Sequence, residues 1–384
     1  MLARKLSARR GLMAFAAALA ALAVAAPSAG AATFDGGSLT VDLKTLVNKL
    51  KAKVANSGAD KSTKTGGTFE LGTGTATLNS SPSGQFNVGS TSDSITLKVG
   101  KKKLTLSKVI QKYSAGKGQL FATVGGKSQA ILDIQSQGKA KPDSGFTGLT
   151  QSSSATKLTK AGAAALNKAF GLKGNKALKA GFKVGTDSLT ADRKLTIVGG
   201  SDKTIYDQAF YDKMASNDEG CSIILSHVAP ATKIDAGAGA PRGGVDLPVI
   251  GGALNAKTLV GTVSHDGGTA LDRGPGNPQG AEYHSRLTQF IFGFVAGATP
   301  TLEAFSSDLN GRLAIGTVAN SSLQPTLTDT GGSVKLTGVL ALSNDAGQAL
   351  KALSDPDGAG GPKHGCDIPA GSNIGAIDGV LNVE

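Results

Sequence analysis

The stretch LTKAGAAALNKAF, residues 158–170, is matched later in the chain by LSNDAGQALKAL, residues 342–353. Leu158 and Leu166 fall on Leu342 and Leu350 at one offset. Apolar residues recur in both stretches every three or four positions, which predicts a short amphipathic helix in each. Because self-similarity within one chain indicates a repeated architecture, we expect one folding unit to occur twice.

Two further pairs of stretches recur in the same order. GQLFATV, residues 118–124, matches GRLAIGTV, residues 311–318. The other pair is a set of four positions, in which Gly67, Leu71, Leu78 and Asn79 fall on Gly243, Leu247, Leu254 and Asn255. Three matches in one order indicate a duplication, and we place the first unit at residues 32–200 and the second at 201–384.

Residues 1–31 are predicted to be a secretory signal peptide. Basic residues lie near the start, an apolar run covers residues 12–26, and Ala29-Gly30-Ala31 forms a small-residue cleavage site. The apolar run is shorter than the ~20 residues that a membrane-spanning helix needs. No later segment is long and apolar enough to span. We therefore expect a secreted or envelope-associated protein without a transmembrane anchor.

The composition predicts a mainly β fold. The chain has 54 Gly and no Trp, aromatic residues make up only 4%, and Thr, Ser, Val and Leu fill the space between the glycines. Such usage is typical of many short strands joined by turns. We expect two tandem β-rich, sandwich-like units, each a twisted sheet with one or two short helices. Helices are predicted at residues 42–54, 158–170, 204–214 and 345–353.

The two cysteines, Cys221 and Cys366, both fall in the second unit. An even number of cysteines in an exported protein indicates a disulfide, which here would enclose most of that unit. The alternative is a pair of buried free thiols. A metal site is not expected at these residues, because no pair of CxxC spacing is present.

The net charge of +12 is divided unevenly. Residues 32–200 contain 25 Lys and Arg against 9 Asp and Glu, whereas residues 201–384 contain 11 against 19. Anionic cell-wall polymers are candidate partners for the Lys-rich unit. A solvated basic face, or docking of the basic unit on the acidic one, are the alternatives. Nucleic acid is not expected, since single-strand recognition uses aromatic side chains that are scarce here.

The chain contains no H-E-x-x-H, G-x-S-x-G or P-loop motif, so we do not expect an enzyme. His265 is the first residue of interest, because it ends the apolar strand TLVGTVS and precedes a DGG turn. A histidine at the lip of a hairpin could reach a ligand; the alternative is a solvent-exposed turn residue. Tyr206 and Tyr211 could ligate haem iron through a phenolate, or could simply pack.

The stretch PVIGGALNAKTLVGTVSHDGGTAL, residues 248–271, resembles part of the HtaA domain. The later strands and the Ala-Leu helix also resemble it, in both units. HtaA domains occur in secreted and surface proteins of actinobacteria, some of which capture haem. In haem-binding members a tyrosine near the start of the domain ligates the iron, and a histidine in this hairpin supports it.

Carried onto this sequence, the resemblance assigns the supporting role to His265 and leaves Tyr206 and Tyr211 as candidates for the iron ligand. The family's opening Trp-Gly pair is absent, and the first unit has neither residue type at the matching places. We therefore expect the second unit to bind haem, with haem or haem proteins as partners. The alternative is a structural or adhesive envelope protein whose Lys-rich unit contacts wall polymers.

Overall fold

The structure is a computed structural model. It describes residues 30–90, 92–115, 117–135, 139–216, 221–235, 243–273, 284–354 and 366–384. Nearly all of the predicted signal peptide therefore lies outside the described residues. None of the helices in the described ranges has the length and apolarity needed to cross a bilayer.

The described residues form 22 β-strands, four α-helices and one short 3-10 helix at Gly174–Lys176. The strands of the first half and its junction are β1 Ala31–Asp42, β2 Lys53–Ser57, β3 Lys61–Ser62, β4 Gly66–Thr77, β5 Gly84–Val88, β6 Ser94–Val99, β7 Lys102–Ser114, β8 Lys117–Val124, β9 Lys127–Ile134, β10 Lys141–Pro142, β11 Gly148–Leu158 and β12 Lys183–Tyr206. The later strands are β13 Ile223–Val228, β14 Thr232–Ile234, β15 Gly244–Asn255, β16 Gly261–His265, β17 Gly268–Arg273, β18 His284–Phe294, β19 Thr301–Ser306, β20 Gly311–Leu327, β21 Gly332–Leu342 and β22 Asn373–Val383. The helices are α1 Lys44–Leu50, α2 Lys160–Phe170, α3 Gln208–Ala215 and α4 Asn344–Ser354.

The mainly β prediction is confirmed, and its cause is visible in single strands. In β6, which reads SITLKV, Ile95 and Leu97 are buried and the intervening residues are more exposed. Successive side chains of a strand point to opposite faces, so this alternation gives one face to the core. Two separate clusters of buried side chains result, one in each half of the chain.

The strands of the first half close into a ring, here called the first ring. Each strand pairs antiparallel with the next in the order β1, β4, β5, β7, β8, β9, β11 and β12, and β12 pairs back onto β1. The short strand β2 pairs with β6, which pairs with β7. These three strands form a flap attached to the ring through β7.

The second half repeats this order of pairing and forms the second ring. The order is β12, β15, β16, β18, β19, β20, β21 and β22, and β22 pairs back onto β12. Strands β13 and β17 pair beside β18, as β2 and β6 do beside β7. Every strand of the first ring thus has a positional counterpart in the second.

Strand β12 belongs to both rings. Its first part pairs with β1 and β11, and its last part pairs with β15 and β22. The predicted unit boundary at residue 200 falls inside this continuous strand, at Gly199-Gly200, where the pairing with β22 is irregular and both glycines have positive φ. Buried Arg193 lies at the junction, and its Nη1 donates to the carbonyl oxygens of Phe146 (3.3 Å) and Thr328 (2.6 Å).

Two of the three sequence matches are displaced in the structure. The pairing of β4 with β1 and of β15 with β12 places Phe69, and not Leu71, at the position of Leu247, so that match is shifted by two residues. The other is wrong by a strand. GQLFATV forms β8 and GRLAIGTV begins β20, but the counterpart of β20 in the pairing order is β9. The match of Leu158 with Leu342 agrees with the structure, because Leu158 pairs with β9 and Leu342 with β20. Similar alternating strands therefore gave a false alignment, whereas the helical stretch gave a correct one.

The predicted helices are present with shifted ends. Thr159 caps α2 by accepting a hydrogen bond from the Gly162 amide. Helix α1 is shorter than predicted, because Lys51 adopts a left-handed conformation and residues from Lys53 onward form β2. Helix α3 begins after Asp207, whose side chain caps it, so the first residues predicted as helical belong to β12.

The structure contains the predicted disulfide between Cys221 and Cys366. Both cysteines are buried, and their Cα atoms are 4.2 Å apart. The bond joins the segment after α3 to the segment before β22, so it ties the start of the second unit to its end.

Candidate ligand-binding site

Tyr206 is the last residue of β12 and lies at the edge of the second ring. Strand alternation places it on the same face as buried Asp202 and Thr204. Its phenol oxygen lies 3.5 Å from Oγ1 of Thr269. Its ring stacks on that of Tyr211, with centroids 6.5 Å apart and an angle of 27° between the planes. Burial raises the pKa of the Tyr206 phenol, and so does neighbouring Tyr211, whereas the Thr269 contact lowers it.

An apolar cavity of about 360 Å³ occupies the second ring, and Tyr206 forms part of its wall. Aliphatic and aromatic side chains from α3, α4 and the ring strands make up most of the lining, including Phe210, Met214, Phe290, Phe292, Leu302, Leu313, Leu342 and Leu350. The polar groups on the wall are few, among them Thr204, Thr269, Ser285 and Ser306. Ligand sites in proteins typically combine such an apolar wall with a small number of polar groups.

The corresponding position in the first ring is packed almost solid. A void of about 10 Å³ lies there, lined by Leu43, Leu158 and Leu166, among others. These residues include counterparts of the cavity wall, because Leu158 and Leu166 fall on Leu342 and Leu350. Within the described residues, this position of the architecture encloses a ligand-sized space in the second unit and a minimal void in the first.

A glycine on the first helix accounts for part of this difference. Gly162 of α2 lies so close to the Ile131 carbonyl of β9 that a Cβ there would overlap it. Its counterpart on α4 is Ala346, whose methyl group lines the cavity. The close approach of α2 to β9 at Gly162 thus depends on the absence of a side chain there, and α4 carries a methyl group at the matching position.

A second depression, of about 430 Å³, lies on the other side of Tyr206 and is here called the groove. Tyr206, Tyr211, His227 and Lys233 contribute its polar lining, together with Ser226 and Asp235, and Leu225 and Val245 contribute to both groove and cavity. His227 and Lys233 were not singled out from the sequence. The sequence offers a clue for His227 alone. It lies two residues after Leu225 in β13, so the two side chains point to the same face of the strand.

His265 is brought to neither the cavity nor the groove. It is only 1% exposed, its Nε2 lies 3.3 Å from Oδ2 of equally buried Asp202, and its Nδ1 lies 3.4 Å from the Phe290 carbonyl oxygen. Its ring also meets Phe292 edge-on at 5.3 Å. The expected solvent-facing lip is therefore an interior position. Within the described residues, no group of three His, Cys, Asp or Glu is arranged to hold a metal ion.

The buried pair replaces an apolar pair of the first ring. The register places Leu39 at the position of Asp202 and Val88 at that of His265, and both are buried. Burying two ionisable polar groups costs free energy that aliphatic packing does not. The second ring therefore departs from the first in its interior chemistry as well as in its cavity.

The first ring has its own interior polar cluster on β7, β11 and β12, formed by Gln111, Tyr113, Gln151 and Asp187. Gln111 donates to Oε1 of Gln151 at 3.0 Å, Tyr113 also donates to that oxygen, and Gln151 donates to Oδ1 of Asp187 at 2.9 Å. Burial raises the pKa of the Asp187 carboxyl to about 7, against the opposing effect of the Gln151 hydrogen bond. The other carboxyl oxygen, Oδ2, has no hydrogen-bond partner among the described residues.

Comparisons with known proteins identify no family for this chain. No family model matches it, and no curated protein matches it. Among solved structures, it is similar to the C-terminal domain of HtaA from Corynebacterium glutamicum, with 16% identity and a TM-score of 0.32 over 50% of this chain and 99% of that one. It is also similar to the haem-binding protein HtaB from Corynebacterium glutamicum, with 13% identity and a TM-score of 0.31 over 50% and 96%. Similarity at this level decides nothing about a ligand, which must be argued from this chain's own residues.

Proposed function

We propose that this protein is a non-catalytic, secreted or envelope-associated binding protein whose second unit holds haem, with one phenolate of the Tyr206–Tyr211 pair as the iron ligand. The observation that carries the proposal is the position of Tyr206. Among the tyrosines that the structure describes, Tyr206 is the one that lines both the apolar cavity and the polar groove. Its counterpart in the first ring is Leu43, beside a void too small for any ligand.

The residues present fit the chemical requirements of haem. A porphyrin needs an apolar slot for its faces, its iron needs an oxygen, nitrogen or sulfur ligand, and its propionates favour cationic or wet surroundings. The cavity supplies the first, and a tyrosine phenolate is a known haem ligand. On the groove side the cation is Lys233, whose Nζ lies 3.2 Å from Oδ1 of Asp235 in the same lining, so a propionate would compete with that carboxylate for it. Both spaces fall in the size range of small-molecule sites, about 300–1,000 Å³.

The burial of Tyr206 should make haem binding depend on pH. Burial raises the pKa of its phenol, so the free protein holds this side chain in its neutral form. A phenolate ligand must lose that proton when it coordinates iron. Haem affinity through Tyr206 should therefore increase with pH over the neutral range, and binding should release a proton.

The test is a haem titration of the chain from residue 32 onward, followed by visible absorption. We expect a saturable Soret band at one haem per chain. Tyr206→Phe and Tyr211→Phe are the key variants, and the band should be lost in one of them and retained in the other. Retention in both single variants and in the double variant would exclude tyrosine ligation. Absence of any band in the parent protein would exclude haem.

A cavity-filling variant separates the roles of the slot and the iron ligand. Ala349 lies on α4 and lines the cavity, so Ala349→Phe should occupy part of the space and weaken haem binding without unfolding the ring. Gln348→Phe introduces the same side chain at the preceding position of the helix. Gln348 is exposed, so this variant serves as the matched control. Equal affinity in the two variants would place haem outside the cavity.

A further inference from the structure

The outer face of the flap in the first unit carries a row of directly opposed lysines. On β2, β6 and β7, Lys53 is paired with Lys98 and Lys98 with Lys103. Directly opposed residues of an antiparallel sheet point to the same face, so the three side chains lie side by side. All three are exposed. None forms an ion pair with an acidic residue in the described part of the chain.

Like charges at directly opposed positions destabilise a sheet. The flap keeps them in place through its other face, where Ile95, Leu97 and Leu104 are buried in the first core. Neighbouring strands are about 4.8 Å apart, so the row spans about 10 Å between its outer lysines. The result is a line of three exposed positive charges on adjacent strands, whose mutual repulsion a bound polyanion would relieve.

Hydroxyl groups continue the same face beyond the lysines. Two residues along the strands, Thr96 is paired with Thr105, and their Oγ1 atoms are 3.0 Å apart. Two residues farther, Ser57, Ser94 and Ser107 are paired in the same way. Lysine ammonium groups and Ser or Thr hydroxyls are the groups that commonly contact phosphate oxygens. No large apolar side chain projects from these rows, which does not suit insertion into a membrane.

The matching face of the second unit is different. There β13 and β17 place exposed Ile224 opposite Asp272, and Ser226 donates to Asp272 at 2.7 Å. The flap of the second unit therefore offers no row of positive charge. The difference between otherwise corresponding flaps shows that the lysine row is not a requirement of the fold.

We propose that the outer face of β2, β6 and β7 binds a linear polymer with phosphate groups in its backbone, through Lys53, Lys98 and Lys103. Charge complementarity selects a polyanion, and a straight row of charges beside rows of hydroxyls suits an extended chain rather than a single small anion. The site is independent of the haem proposal, since it lies in the other unit. It would hold the first unit on a phosphate-rich surface polymer while the second unit remains free.

The experiment measures binding of the chain from residue 32 onward to long-chain polyphosphate and to a glycerol-phosphate polymer, by titration calorimetry at low and high salt. The variant K53Q/K98Q/K103Q removes the row. The control K117Q/K141Q/K179Q removes three exposed lysines elsewhere in the same unit, with the same change of net charge. We expect the row variant to lose about a hundredfold in affinity at low salt, and the control only a few-fold.

The melting temperature is the second readout, and it shows whether the row variant still folds. Because the row is repulsive in the free protein, K53Q/K98Q/K103Q should melt at an equal or higher temperature than the parent at low salt. Polyphosphate should raise the melting temperature of the parent but not of the row variant. Equal losses of affinity in both variants would overturn the proposal in favour of general charge attraction. Binding only to phosphatidylglycerol vesicles would overturn it in favour of a membrane surface.

Discussion

The buried carboxyl of Asp187 should make the stability of the first ring depend on pH in an unusual direction. Most carboxylates that gain partners on folding stabilise a protein as pH rises. Asp187 is 2% exposed, and one of its oxygens has no partner in the described residues, so burial raises its pKa to about 7. The perturbation is Asp187→Asn, which keeps the acceptor for Gln151 and removes the ionisation.

The magnitude follows from the two pKa values, 3.8 when unfolded and about 7 when folded. Below 3.8 both states are protonated and nothing is lost. Between the two values the unfolded state ionises first, so the free energy of unfolding falls as pH rises, and the loss levels off above pH 7. One pKa unit corresponds to about 1.4 kcal/mol, which gives a full loss of about 4 kcal/mol. About 3 kcal/mol of it falls between about pH 5 and pH 8.

Hydrogen exchange under urea, measured on peptides from β11 and from the first part of β12, reports the free energy of opening the first ring. The parent should lose about 3 kcal/mol relative to Asp187→Asn between about pH 5 and pH 8. Peptides from β20 and β21 serve as the internal control, because no contact of Asp187 reaches the second ring. A constant difference between parent and variant across this range would refute an ionisable, buried Asp187.

Three further predictions concern stability. The double variant Asp202→Leu/His265→Val copies the apolar pair of the first ring, and its free energy of unfolding in urea should be unchanged or higher by about 1–4 kcal/mol. Either single change should lower that free energy by about 3–5 kcal/mol, because it leaves one buried polar group without its partner. Additive effects of the two single changes would contradict a coupled pair. The disulfide between Cys221 and Cys366 spans a sequence separation of 145. Its reduction should lower the free energy of unfolding of the second ring by about 5 kcal/mol, because the unfolded chain gains loop entropy. An unchanged denaturation midpoint in reductant would contradict this stabilisation. Arg193→Met leaves two carbonyl oxygens without their donor and should cost about 1–3 kcal/mol, with the two rings unfolding at more widely separated temperatures in calorimetry; a single unchanged transition would exclude a role at the junction.

Local sequence pattern predicted the elements whose causes are local. The period of α2 depends on residues within a few positions of each other, and this helix was predicted from it correctly. Helix α1 was predicted too long, because the left-handed turn at Lys51 is permitted to any residue at some cost and leaves no pattern. The disulfide could be predicted from the count of cysteines, since only one pairing is possible.

The features that define the candidate site depend on contacts between distant strands. Alternating strands resemble each other, so the sequence paired GQLFATV with the wrong partner and gave no indication that the sheets close. The burial of His265 against Asp202 follows from the register of β12, β15 and β16, which no local pattern encodes. The cavity is enclosed by α3, α4 and ring strands that lie far apart in the sequence, and the close contact of Gly162 with β9 at the matching place in the first ring is equally non-local.

The central claim is that the second ring, and not the first, holds a ligand against Tyr206, whether the phenolate of Tyr206 or that of its neighbour Tyr211 coordinates the iron. The most direct measurement is a haem titration by visible absorption on two proteins, the chain with Tyr206→Leu, which copies Leu43 of the first ring, and the parent. The account predicts a saturable Soret band at one haem per chain in the parent, and its loss or a large weakening in Tyr206→Leu with the melting temperature retained. An identical titration curve for both proteins would contradict the account.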